Sequence, residues 1–200
     1  MTFYYTARST YDKQSHEDGI SWEKYLEWSK LTHLKELVSV DGMLNENLVQ
    51  TDRNNDDDWN HIVIDNYYET GFYTTLEFVL NKMEPKEQFN LLTIVVEPTN
   101  DCENIEVEDF EFVGYDLLDK EYNISALTNC GGFNESFIPS DLNCYGLIDQ
   151  YEKSSRIKQQ LLENNPEEHH ADTNVIAIWR HKILGRKKAE PLTLVWQKTG

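Results

Sequence analysis

The sequence predicts an α+β fold, with a mixed or antiparallel sheet and about three helices over residues 1–200 read as one domain. Three observations carry this. Phe72, Leu76, Val79, Leu80 and Met83 recur at the spacing of one helical face. Phe89–Val96 (FNLLTIVV) is a short apolar run bounded by Pro98, the pattern of a buried strand. Strand-like and helix-like segments alternate without a regular βαβ cadence, which disfavours a doubly wound parallel sheet. No internal repeat is present.

In chain order, residues 2–8 (TFYYTAR) are rich in aromatic and β-branched types and read as a strand. Ser21 reads as the N-cap of an aromatic helix, SWEKYLEWSK. Leu31, Leu34, Leu37 and Val38 continue helical spacing toward a stop at Asp41-Gly42. Residues 50–58 are a polar loop, and 59–64 (WNHIVI) are either a strand or the first turn of a helix. The helix over 72–83 stops before Pro85, and the strand 89–96 follows. In 105–113, Ile105, Val107 and, after a phase slip, Phe110 and Phe112 alternate with acids, as in a strand with one acidic face in water. Residues 123–146 read as loop. Asp141 is expected to cap a helix running to about Glu163, with Pro166 beyond its end. Two more strands are expected at Asn174–Arg180 and Leu192–Gln197.

Two hundred residues with 39% apolar content and 24 aromatic side chains can build a real core. Such aromatic content disfavours disorder. Charged residues make up 27%, near the ordinary share of about 25%, so the anomaly lies in their sign. Net charge is −18. Between Asp41 and Asp119 there are 20 acidic residues against Arg53, Lys82 and Lys86, a net of 3 − 20 = −17. Like charges at this density are tolerated where they face solvent or a cationic partner. Residues 173–200 are the converse, with six basic residues against Glu190, a net of +5. An acidic surface repels phosphates, so nucleic acid is not expected as a direct ligand. No apolar stretch approaches the roughly 20 residues of a membrane-spanning helix, and the N-terminus lacks the pattern of a secretory signal. Cys102, Cys130 and Cys144 are odd in number and lack CxxC spacing, which reads as free thiols in a reducing, cytoplasmic setting.

Several motifs come near to chemistry. Asp52, Asn54, Asp56 and Asp58 alternate as in half of a calcium loop, but Asp57 stands where the turn needs Gly and Val63 where a bidentate Glu is needed. A solvated loop whose last Asp caps a turn is the simpler reading. Asp58, His61 and Asp65 would meet if 58–65 were helical, giving general-base hardware. Glu167-Glu168-His169-His170 and His181 hold metal-capable atoms at no recognised zinc spacing. Cys130-Gly131-Gly132 suggests a nucleophile beside backbone N–H groups, yet nothing identifies its base. Trp22, Tyr25 and Trp28 are spaced as a core-facing stripe or a protein-binding patch. No cofactor and no metal ion are expected from these patterns, and no stretch names a reaction.

The resulting expectation is an acidic cytoplasmic module that binds a basic protein surface, specifically an immunity-type stoichiometric inhibitor of a basic bacterial toxin or nuclease. Its expected contacts are Asp56, Asp57 and Asp58 in the polar loop and Glu106, Glu108 and Glu111 on the acidic strand face. The alternative is an enzyme working through carboxylates and His61.

Overall fold

A computed structural model describes residues 1–13, 20–52, 54–66, 70–129, 136–164, 166–168 and 170–185. In chain order the elements are β1 (Tyr4–Ser9), α1 (Trp22–Ser29), α2 (Asp56–Trp59), β2 (Ile62–Asp65), β3 (Gly71–Tyr73), α3 (Leu76–Lys82), β4 (Phe89–Val96), β5 (Phe110–Asp119), α4 (Tyr151–Asn164) and β6 (Thr173–His181). The six strands form one sheet in the order β2-β3-β1-β4-β6-β5, and every pairing is antiparallel. The fold is therefore α+β, with the antiparallel alternative realised.

β4 is central. It pairs with β1 from Tyr4↔Ile94 to Ser9↔Phe89, and with β6 from Leu92↔Arg180 to Val96↔Ile176. Its apolar run is nearly continuous because both faces of the sheet are covered. Leu91, Val95, Leu117, Ala177 and Trp179 lie in one cluster with Phe78 and Val79 of α3 and Ile157 and Leu161 of α4. Leu92, Ile94, Leu118, Ile176 and Ile178 lie in the other, against Val38, Val40 and Leu147. Helices and irregular chain together cover one face, and irregular chain covers the other.

The irregular segments account for two departures from expectation. The helix from Ser21 ends at Ser29, with Lys30 as a left-handed cap (φ 58). Leu31, Leu34, Leu37 and Val38 are buried, but on irregular chain with a turn at 32–33 rather than on a helix. The Leu37 N–H donates to Tyr11 O (2.8 Å) and the Val38 N–H to Tyr145 O (3.0 Å), replacing helical bonds with bonds to other segments. Likewise Asp141 does not cap the last long helix. It closes a 3-10 turn at Pro139–Asp141, accepting from Ile138 N–H at 2.9 Å. Residues 142–149 instead run to the outer edge of β5, where Ile148 and Tyr115 exchange backbone bonds of 2.9 and 2.8 Å. α4 begins only at Tyr151.

The segment 72–83 splits in two. Phe72 and Tyr73 are both fully buried on opposite faces of β3, which only a strand allows. The helix starts after Thr75, whose side chain accepts from Phe78 N–H at 3.3 Å. Its inward side chains are Phe78 and Val79, while Leu80 is 41% exposed. Thr75→Ala is expected to lower stability by about 1 kcal/mol, seen as a lower urea midpoint at unchanged slope. An unmoved midpoint would show that the cap contributes nothing.

The strand expected at 105–113 begins at Phe110 and runs to Asp119. The phase slip between Val107 and Phe110 falls at the turn of Glu108 and Asp109, and a separate bulge lies between Phe112 and Gly114. Gly114 has φ 135, and a Cβ there would meet Leu147 Cβ at 2.7 Å. In 59–64 the strand alternative is realised, since α2 ends at Trp59 and β2 starts at Ile62. The strand expected at Leu192–Gln197 and most of the basic tail lie outside the described residues. No helix among the described residues is long and apolar enough to cross a membrane.

Candidate functional site

The acidic alternation of 105–108 is real, but it belongs to a loop pinned onto the sheet, not to a strand. Ile105 and Val107 pack against the main core. The Trp179 indole Nε1–H donates to Ile105 O at 3.2 Å, and the Tyr115 hydroxyl donates to Asp101 Oδ1 at 2.7 Å. The same hydroxyl accepts from Cys102 N–H at 2.7 Å. The Glu103 N–H and the Tyr115 hydroxyl hold the Asp101 carboxyl below the usual carboxylate range. The chain then turns into β5 through Asp109 in the left-handed region (φ 62). With their neighbours anchored inward, Glu103, Glu106, Glu108 and Asp109 are all exposed and have no ion-pair partner among the described residues. Glu111 differs from Glu106 and Glu108. It stands on β5, and its carboxylate lies 3.8 Å from the Arg180 guanidinium.

The second acidic group surrounds α2. Asn55 caps this short helix, accepting from Asp57 N–H at 3.0 Å. Asp56 and Asp57 then point into solvent. Asp58 does not. It is buried, accepts from Asp52 N–H at 2.8 Å, and pairs with Lys82 of α3 at 2.8 Å. The Lys82 ammonium holds the Asp58 carboxyl below its ordinary range. Between α2 and α3 lies a pocket of about 460 Å³ lined by Asp57, Asp58, His61, Glu77, Phe78 and Lys82, among others. Glu77 and the 54%-exposed Trp59 join this corner. Sequence reasoning passed over both, although a Trp directly after three Asp residues is the signal that could have marked the corner. Since β2 and β5 are opposite edges of the sheet, the edges that follow the two acidic groups stand roughly 24 Å apart, from five strand spacings of about 4.8 Å.

Asp58, His61 and Asp65 do not share one helical face, because α2 ends at Trp59 and β2 runs over Ile62–Asp65, although Asp58 and His61 line the same pocket. His61 Nδ1 bonds Thr74 Oγ1 at 2.9 Å, and the ring stacks on Phe78 with centroids 4.5 Å apart. Nor do the oxygens of the half calcium loop converge. Asp52 Oδ1 accepts from its own loop at Asn54 N–H (2.9 Å), and Asp58 is held by Lys82. Among the described residues, no group of three or more His, Cys, Asp or Glu could hold a metal ion. Glu168 pairs with His170 at 2.9 Å, while His181 Nδ1 accepts from the Ile183 and Leu184 N–H groups. His169 and Cys130-Gly131-Gly132 lie outside the described residues. Cys102 and Cys144 are free thiols. Of the aromatic stripe, Trp22 and Tyr25 are core, and Trp28 is 46% exposed.

Two more carboxylates are sealed inside. Asp116 of β5 accepts from Ser39 Oγ (2.7 Å), Ser125 Oγ (2.6 Å) and Leu117 N–H (2.8 Å). Asp41 accepts from Ser125 N–H and Asn129 Nδ2, each at 2.8 Å, and from Met43 N–H at 2.8 Å. Burial pushes the Asp116 carboxyl up to about 6 from 3.8, and raises Asp41 as well. Both are fully buried, so they tie the loops at 39–45 and 125–129 to the sheet and face no ligand. Comparison with models of known families, with curated proteins and with solved structures finds no match for this chain.

Proposed function

We propose that this chain is an acidic cytoplasmic protein-binding module that captures a basic protein surface stoichiometrically, as an immunity-type inhibitor masks a cationic bacterial toxin or nuclease. The observation that carries the reading is the loop at 103–109. It presents four exposed carboxylates without cation partners among the described residues, on a backbone pinned by Trp179 and Tyr115. Fixed charges lose little freedom on binding, so preorganisation favours affinity. A nuclease needs positive groups to hold phosphate, and a rigid acidic face is complementary to them. Asp56, Asp57 and Glu77 offer a second group at the other edge, with Trp59 as an aromatic contact of the kind enriched at binding hot spots.

The test is to titrate the chain into the protein encoded by the neighbouring gene and to follow both heat and that protein's activity. A cationic toxin or nuclease whose activity vanishes at one equivalent supports the reading. No complex, together with a turnover abolished by His61→Ala, would replace it with the enzymatic reading seated in the α2–α3 pocket.

A further inference from the structure

A cleft of about 390 Å³ opens where β1 and β6 end and β4 begins, lined by Lys35, Glu36, Gln88, Asn90, Tyr145 and Arg180 with four others. Arg180 is buried yet under-used. Its Nη1 donates to Glu36 Oε2 at 2.7 Å, its Nη2 lies 3.8 Å from Glu111 Oε1, and its Cζ lies 4.5 Å from the Tyr145 ring centroid. Its Nε–H is buried without a hydrogen-bond partner among the described residues. Both oxygens of Glu36 are occupied, the second by Asn90 Nδ2 at 2.8 Å. Among the described residues, the exposed Lys35 ammonium, the Tyr145 hydroxyl and the Gln88 amide have no polar partner. The open capacity of the cleft is therefore mostly donors. Among the described lining residues, Lys35 and Arg180 balance Asp12 and Glu36, within a chain of net charge −18. A buried guanidinium with spare N–H donors, next to a free ammonium, matches the planar acceptor pair of a carboxylate.

We infer that this cleft is a binding site for a carboxylate, held between Lys35 and Arg180 with the Tyr145 hydroxyl as a further donor. This site is independent of the acidic groups and of the partner they would meet. The carboxylate has two possible sources, a small organic acid or the C-terminus of a polypeptide. The experiment is an amide NMR titration of the full chain with glutarate, with a short neutral peptide bearing a free C-terminus, and with the same peptide amidated. Saturable shifts at Lys35, Gln88, Asn90 and Tyr145 are expected, and the tighter of the first two probes names the source. Arg180 is buried, so the variants are the half-buried Tyr145→Phe and the exposed Lys35→Gln. Lys35→Gln should weaken binding about two- to five-fold, the effect of one exposed ion pair. Lys24→Gln on α1 should leave it unchanged. The inference is overturned if neither acid gives saturable shifts there, if the amidated peptide binds as well as the free one, or if Lys35→Gln binds like the native chain.

Discussion

Trp179→Ala is expected to lower stability by about 3–5 kcal/mol, the range for deleting a buried aromatic side chain. Trp179 is fully buried on β6, with its ring 5.6 Å from Phe3 and 5.3 Å from Phe112, both edge-on. Alanine would leave a cavity between the sheet and the acidic loop. It would also release Ile105 O, the acceptor of the indole N–H. Since a domain is stable by only about 5–15 kcal/mol, the variant should be marginal. Two measurements check this. The urea midpoint should fall, and amide exchange at 103–109 should quicken more than elsewhere. Trp179→Phe, which restores volume without the indole donor, should recover most of the stability but not the protection of the loop. A loss below about 1 kcal/mol for the alanine variant would show that this indole is not the packing centre assigned to it.

Asp116→Asn is expected to gain roughly 3 kcal/mol of stability relative to the native chain between pH 4 and pH 7. The Asp116 carboxyl titrates at about 6 in the fold against 3.8 for the ordinary group. Between those values the folded state binds more protons than the unfolded one. Native stability therefore declines as pH rises through this window, and at neutral pH the fold carries the cost of a buried charge. Asparagine carries no such charge and still accepts from Ser125 Oγ and Leu117 N–H. Asp41 is raised by burial too, and relief of its repulsion from residue 116 acts in the same direction. Asp58, Asp101 and Asp141 are lowered, so their contribution has the opposite slope, lost as pH falls below the ordinary range. It is common to both proteins and cancels in the comparison. Urea midpoints of the two chains should diverge from pH 4 to pH 7. Parallel curves would mean that Asp116 is not held protonated by its surroundings.

The elements most legible in the sequence were those whose pattern answers to one physical demand. The strand at 89–96 was legible to the residue because a run of apolar side chains bounded by proline suits a central strand buried on both faces. The Ser21 cap was legible for a similarly local reason. Misreadings arose where two demands produce the same spacing. Phe72 fits the helical face of Leu76 and Val79, but it also alternates with Tyr73, and the sheet claimed it. Leu31, Leu34 and Leu37 fit a helix, yet the stretch is irregular, and its backbone bonds run to Tyr11 and Tyr145 instead of along a helix. At the candidate site, exposure of Asp56, Asp57, Glu106 and Glu108 was legible from polarity. The capture of Asp58 by Lys82, 24 residues on, and of Glu111 by Arg180 was not, because those pairs are made by the fold. Burial of Asp41 and Asp116 in the most acidic part of the chain was equally hidden. Counting charges says nothing of which face each one takes.

The proposed capture of a basic surface is tested most directly by the association rate of the chain with its cationic partner as ionic strength is raised. The screening length shrinks from about 30 Å at 0.01 M salt to about 8 Å at 0.15 M. The native chain should associate fast at low salt and slow steeply as salt increases. Neutralising Glu103, Glu106, Glu108 and Asp109 as one set, and Asp56, Asp57 and Glu77 as another, should slow association and flatten that slope while the fold stays intact. A slope and an on-rate that remain native in both sets would contradict recognition through these charges and reduce them to a means of staying in solution.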